Sequence, residues 1–379
     1  MKRKVWLVAW IIFLSISWFG VNNRKSEARM VPASDLSRSP GLSTEILPQE
    51  KKKRQFSESE PVMIAEINLY ELKNGPYQLS YLKFDHKGRL FSVDYKQGLI
   101  YRFDFSPDWK KIQSFSFGKG LGQGPGELSR VLDIKIFNDD IYLVDEGKGA
   151  IEIYTTDGAY KTSLKTGNLV PRKLTVLKDS LVIETLVPAD RLFYLFDLSG
   201  NFKYSFGEYI EKKGKDNSTY QDNALSESFS EKYFYYLPRF FGFVALYQGD
   251  KLVMIKETID GLKKGSHNLP LVKTLTDGTV RIGTARIVDR KFETVYEYSL
   301  SDKYLLIRAY DYEEKESYWD IYEAKTFNYL LSVKNKPSAS YFALFRNIVA
   351  TLLEMEEGTK LQIYDLGRVL KEASSLIKQ

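Results

Sequence analysis

The side chains best placed to do chemistry are two aspartates in matching settings. Asp94 ends an apolar run and leads into Tyr95-Lys96-Gln97-Gly98; Asp145 ends another and leads into Glu146-Gly147-Lys148-Gly149. Carboxylates gathered with backbone carbonyls are hard oxygen ligands suited to calcium, and a calcium ion can polarise an ester or lactone for hydrolysis. An aspartate before a glycine turn also has a plainer use, accepting the local backbone N–H groups. Between the two lies Phe115–Leu128, FSFGKGLGQGPGEL, with glycine at 118, 120, 122, 124 and 126. Successive N–H groups in such a stretch can cradle an anion.

Other chemistries are bounded by what the chain lacks. It has no cysteine, so disulfides, thiol nucleophiles and cysteine-held zinc are excluded. Its two histidines, His86 and His267, cannot build a three-histidine metal site within one chain. The glycine stretch departs from G-x-G-x-x-G at Gln123 and Pro125 and has no Gly-Lys-Ser/Thr, so it is not a nucleotide loop. No Gly-x-Ser-x-Gly occurs either.

These residues need a scaffold, and internal repetition supplies one. Tyr81–Asp104 followed by Lys111–Phe117 reads as four short strands joined by Asp- and Gly-bearing turns, and Val131–Lys165 and Lys173–Phe206 repeat the pattern. Phe103, Tyr154 and Phe196 are spaced by 51 and 42 residues, and Tyr322 and Tyr364 by 42. Weaker copies fall at Val244–Leu275, Val295–Val333 and Tyr341–Leu366. The last lacks a fourth strand, which Met63–Tyr70 can supply. Four strands per unit of about 40–50 residues is the propeller pattern. The expectation is an all-β, closed propeller of six four-stranded blades, with the N-terminal strand completing the last. A seventh blade is an option if Gly207–Phe241 hides one; otherwise that segment is an inter-blade insertion whose aromatics Tyr233–Tyr236 serve packing. In such blades the inter-blade crossover and the turn between second and third strands share one face. That face then gathers Asp94, Tyr95, Lys96, Gln123, Arg130, Asp145, Glu146, Lys148, Glu184 and Arg191 around the channel as candidate ligand-binding residues.

Ile141–Gly158, IYLVDEGKGAIEIYTTDG, resembles the NHL repeat, as does Leu90–Phe103, and Phe117–Leu128 is similar to a stretch in exported bacterial six-bladed propellers of the NHL-like kind. The resemblance implies the fold. It says little of activity, because members of this superfold bind proteins, glycans or RNA, and a few are metal-assisted hydrolases or lyases.

The formal charge of +6 is concentrated at the N-terminus: residues 1–61 hold 11 Lys/Arg against 6 Asp/Glu, leaving 44 against 43 in the remainder. A nearly neutral body lacks the footprint of a nucleic-acid binder. Met1–Lys4 is basic, Val5–Val21 is largely apolar, and Ser26-Glu27-Ala28 offers small residues for cleavage. This is the layout of a signal peptide over 1–28, with an uncleaved anchor as the alternative. Residues 29–61 read as a flexible linker and 62–379 as the propeller. The reading is of an exported protein, periplasmic or at the cell surface, that binds a protein or cell-envelope polymer without catalytic residues or cofactor. Only its N-terminal segment, if uncleaved, would touch membrane. The alternative is a calcium-assisted, lactonase- or esterase-like hydrolase with acids in the central channel.

Overall fold

The computed structural model describes residues 46–377 apart from 52, 73–74, 186–190, 209–223, 229, 239–241, 262–266, 275–279, 288–291, 312–314, 335–340 and 356–357. The expected signal peptide or anchor, and the linker up to residue 45, lie outside the described residues. Among the described residues no helix is long and apolar enough to cross a membrane.

After β1 (Val62–Asn68), six four-stranded antiparallel sheets form a ring. Blade 1 is β2–β5 (Leu79–Phe84, Leu90–Asp94, Leu99–Phe105, Ile112–Phe117), and blade 2 is β6–β9 (Val131–Phe137, Asp140–Asp145, Ala150–Thr155, Tyr160–Lys165). Blade 3 is β10–β13 (Pro171–Val176, Ser180–Thr185, Phe193–Asp197, Phe202–Phe206), and blade 4 is β14–β17 (Ala224–Ser228, Tyr233–Pro238, Phe243–Gln248, Lys251–Glu257). A separate compact unit takes in Leu269–Ala285 and holds most of a two-stranded sheet, β18–β19 (His267–Thr274, Val280–Ile287). Blade 5 is β20–β23 (Phe292–Leu300, Tyr304–Asp311, Glu316–Glu323, Tyr329–Lys334). Blade 6 is β24–β26 (Tyr341–Phe345, Ile348–Met355, Gly358–Asp365) with β1 as its outermost strand, running from Val62↔Asp365 to Asn68↔Lys360. The chain's first strand therefore closes its last blade, which removes the open edges of a linear array.

Each blade buries both faces against its neighbours, so its middle strands are nearly continuous in buried residues, as in β3 (LFSVD) and β21 (YLLIRAYD). Among the described residues the apolar core divides into six clusters, one at each blade junction. Phe91, Ile100, Ile134 and Leu143 join blades 1 and 2, while Leu82, Tyr101, Ala350 and Ile363 join blades 6 and 1. The landmark aromatics Phe103, Tyr154, Phe196, Tyr322 and Tyr364 all fall in third strands, paired with Leu90, Ile141, Leu181, Leu305 and Val349.

Two sequence expectations change. Gly207–Phe241 is not merely an insertion, because it contributes β14 and β15, the first two strands of blade 4. Phe234, Tyr235 and Tyr236 are fully buried there, as packing residues should be. The extra sequence lies instead at β18–β19. The second change concerns the linker, whose residues 46–61 lie along the propeller's side. Leu47 pairs in parallel with Lys256 at the edge of blade 4, and Phe56 with Ser332 at the edge of blade 5. Buried Gln49 donates to the carbonyls of Glu257 and Phe327 and accepts from the Tyr329 N–H. Arg54 forks between the buried carboxylates of Asp260 and Asp320, and its guanidinium lies 4.8 Å from the Tyr318 ring centroid. Composition marked this tract as solvated because its apolar contacts are few; backbone pairing and one arginine fork hold it.

A C-terminal helix, α1 (Gly367–Ile377), buries Val369, Leu370 and Ala373 against blades 5 and 6. Asp365 accepts the Gly367 N–H, satisfying one of the orphan donors of its first turn.

Candidate functional site

The inter-blade loops and the turns between second and third strands share a face, as expected. Added to Gly98, which has φ +66°, a Cβ would lie 2.6 Å from the Gly120 carbonyl carbon, so the blade 1 turn and the glycine loop touch backbone to backbone. Asp94 is fully buried; it accepts from the Tyr77 and Gln78 N–H groups at 2.6 and 3.2 Å and from Lys96 and Gln97 at 2.9 and 3.0 Å. Asp145 repeats the arrangement with Ser129, Arg130 and Lys148 at 2.7, 3.0 and 3.2 Å. Each aspartate thus ties the incoming loop of its blade to its own turn. Their oxygens face backbone donors, and among the described residues no group of three or more acidic or histidine side chains could hold a metal.

The glycine loop carries its own anion. The Glu127 carboxylate curls inward to accept the Gly124 N–H at 2.7 Å, and a Cβ on Gly122 would fall 2.0 Å from its Oε2. A side chain at position 122 would have to displace that carboxylate, which fills the space beside Gly122. From below, buried Lys148 donates to the Gly124 and Glu127 carbonyls at 3.0 and 3.1 Å and pairs with Glu152, while the Tyr154 hydroxyl donates to Gly126 O at 2.8 Å. The loop is a fastened platform whose cradle is filled.

The remaining candidates divide by exposure. Glu146 is buried and paired with Arg130 at 2.8 Å. Gln123 is exposed and donates to Ser129 and Gly147. Glu184 is buried within blade 3, and Arg191 pairs with Glu208 at 2.9 Å. Tyr95 and Lys96 point outward. The structure therefore brings Asp94, Tyr95, Lys96, Gln123, Arg130, Asp145, Glu146 and Lys148 to one sector over blades 1 and 2, with Glu184 and Arg191 on blade 3.

Large apolar side chains are exposed in the same sector: Tyr77 at 73%, Tyr95 at 43% and Leu121 at 55%, with Met355 of the blade 6 turn at 47%. The segments carrying Tyr77, Tyr95 and Leu121 meet at the Asp94 turn, and the residue before Met355 reaches Tyr95 electrostatically. The Tyr77 N–H is held by Asp94, Tyr95 follows it, Leu121 N abuts Gly98, and Glu354 joins burial in raising the Tyr95 phenol. The opposite face differs. There Lys87–Asp139, Arg89–Asp157, Arg102–Asp157, Lys161–Asp140 and Lys203–Asp197 form ion pairs at 2.7–3.2 Å, and Leu198 is the exposed large apolar residue among its described turns.

Sequence reasoning missed the charged core of the channel. Lys83 of β2 and Lys135 of β6 both reach Glu227 of β14, at 2.5 and 3.1 Å, and the Tyr298 hydroxyl of β20 donates to Glu227 at 2.9 Å. Asp133 lies 3.6 Å from Lys135 and 3.8 Å from Lys173 of β10. Register shifts in β2, β6, β10 and β20, next to Lys83, Asp133, Lys173 and Glu297, are bulges that re-aim side chains. One places Tyr81 at φ +60°, unusual for a bulky residue. Burial would push Glu227 up, but Lys135 and Lys83 outweigh it and hold its carboxyl at about 2. Burial likewise opposes the charge of Lys135, whose pKa Asp133 and Glu227 nevertheless raise; at Lys173 burial prevails and lowers it. The space among Tyr81, Lys173, Glu297 and Tyr341 is about 20 Å³, room for one water molecule. This cluster is a plug joining strands of different blades. Its trace in the sequence is a lysine inside the first strand of each of the first three repeats.

No protein-family model matches the chain, and no curated protein matches it in sequence. In fold it is similar to a Bacteroides fragilis protein thought to be exported, with TM-score 0.53 and 12% identity over 84% of this chain and 98% of that one. Virginiamycin B lyase of Staphylococcus aureus is similar at TM-score 0.45 and 12% identity, over 79% and 98%. The β-propeller domain of a Myceliophteria thermophila protein is similar at TM-score 0.46 and 10% identity, over 80% and 99%. The chain is a six-bladed β-propeller.

Proposed function

We propose that this propeller, of the NHL-like kind, is an exported binding module that docks a protein or cell-envelope polymer on its inter-blade face. The carrying observation is the set of apolar side chains Tyr77, Tyr95, Leu121 and Met355 exposed on that face, whereas the opposite turns of blades 1 to 3 carry ion pairs and expose Leu198. Contiguous exposed apolar surface marks interaction sites. The loops beneath are fixed by Asp94, Asp145, Lys148 and Tyr154, so little ordering entropy is lost on docking. Export is supported by the basic and apolar N-terminal layout. Metal-assisted hydrolysis finds no support, because Asp94 and Asp145 are turned onto backbone N–H groups.

The test is recovery of the full chain with its partner from envelope extracts. The Tyr95→Ser/Leu121→Glu variant should lose the partner, and Leu198→Glu, on the opposite face, should keep it. Retention by the first variant, or loss by the second, would sink the reading.

A further inference from the structure

The charges around the apolar cluster specify its occupant further, on the footing of the docking face just described. On this face of blades 1 and 2 the described carboxylates are turned inward and tied: Asp94 and Asp145 to backbone N–H groups, Glu127 to its own loop, and Glu146 to Arg130. The exposed lysines of the same loops and turns are Lys96, next to Tyr95, Lys119, two residues from Leu121, and Lys165, while Lys148 is drawn inward onto Glu152. A body with almost no net charge therefore presents solvent-facing lysines beside its apolar anchors on blades 1 and 2. The sector ends at blade 6, where Glu71 and Glu354 are exposed acids.

We propose that this sector binds an acidic protein segment whose apolar side chains seat against Tyr77, Tyr95 and Leu121. Charge complementarity sets the sign, since a cationic rim attracts carboxylates and repels basic partners. The anchors set the class. Sugars stack on aromatic rings but gain little from aliphatic side chains, whereas Tyr, Met and Leu together suit the dry centre of a protein interface. Nucleic acid would need cations tracking a backbone, and here Lys96 and Lys119 flank an apolar patch bounded by acids on its blade 6 side.

The full chain is tested against four probes at about 0.05 M salt, where screening is weak. These are a random glutamate–tyrosine copolymer, polyglutamate, polygalacturonate and an oligothymidylate. The copolymer should bind at least about tenfold more tightly than the other three. Lys96→Glu/Lys119→Glu and Tyr95→Ser/Leu121→Ser should each weaken it by about tenfold or more, with unfolding midpoints unchanged. The proposal fails if the copolymer does not bind, if either double variant binds it normally, or if another probe matches it. If the copolymer fails while Tyr95→Ser/Leu121→Glu still loses its envelope partner, the acidic class falls and the docking face stands. If that variant keeps its partner, the docking face itself falls.

Discussion

Glu227→Gln isolates the charge at the centre of the channel without changing its volume. The carboxylate pairs with Lys83 and Lys135 and accepts from Tyr298, and these hold it at about 2 against an ordinary 4.5. At about 1.4 kcal/mol per pH unit the gap is worth about 3 kcal/mol at neutral pH, in the range for breaking one partner of a buried ion pair. The sign follows from a depressed carboxyl: the stabilisation is full above the ordinary value and is lost as pH falls toward the folded-state value. Urea unfolding of the wild type and variant should therefore differ by about 3 kcal/mol at pH 7 and by less than half of that at pH 3. A difference under about 1 kcal/mol at pH 7, or one that does not change with pH, would refute the view of the plug as an electrostatic join.

Three further outcomes follow from the same geometry. Arg54→Ala leaves Asp260 and Asp320 buried without their shared cation and should cost about 3–5 kcal/mol; amide exchange should rise across 46–61 first. Gly98→Ala, which drives a Cβ into the Gly120 backbone, should cost clearly more than Gly149→Ala, where φ is also positive but nothing lies within 4 Å; equal unfolding midpoints would show that the turn and loop do not press together. Asp145→Ala, which orphans three N–H groups, should lower stability by about 2–3 kcal/mol with or without calcium. A calcium-induced rise in the wild-type melting temperature that Asp145→Ala abolishes would restore the metal reading.

Much of the ring was legible because its signals are local. Asp94 and Asp145 mark second-strand ends, and the landmark aromatics from Phe103 to Tyr364 mark third strands. Tyr247 is the missing landmark of blade 4, 51 residues after Phe196 and 75 before Tyr322. It escaped notice because β18–β19 lengthens the second interval. α1 went unread although Val369, Leu370, Ala373 and Leu376 follow helical spacing, a pattern overshadowed by strand rhythm. The gathering of the candidate residues on one face was legible, because the order of turns along a blade fixes it. The inward turn of Asp94, Asp145 and Glu127 depends on N–H groups that a neighbouring loop delivers, and the channel plug depends on bulges that bring Lys83, Asp133 and Glu227 together from separate blades. Neither is encoded in local spacing.

The central claim, a docking face over blades 1 and 2, is tested most directly by site-specific photo-crosslinking in cells. A photoreactive residue at Tyr95, Leu121 or Met355 should give a discrete adduct with the same partner, and one at Leu198, Phe202 or Val253 should give none. Adducts confined to the second set would contradict the account.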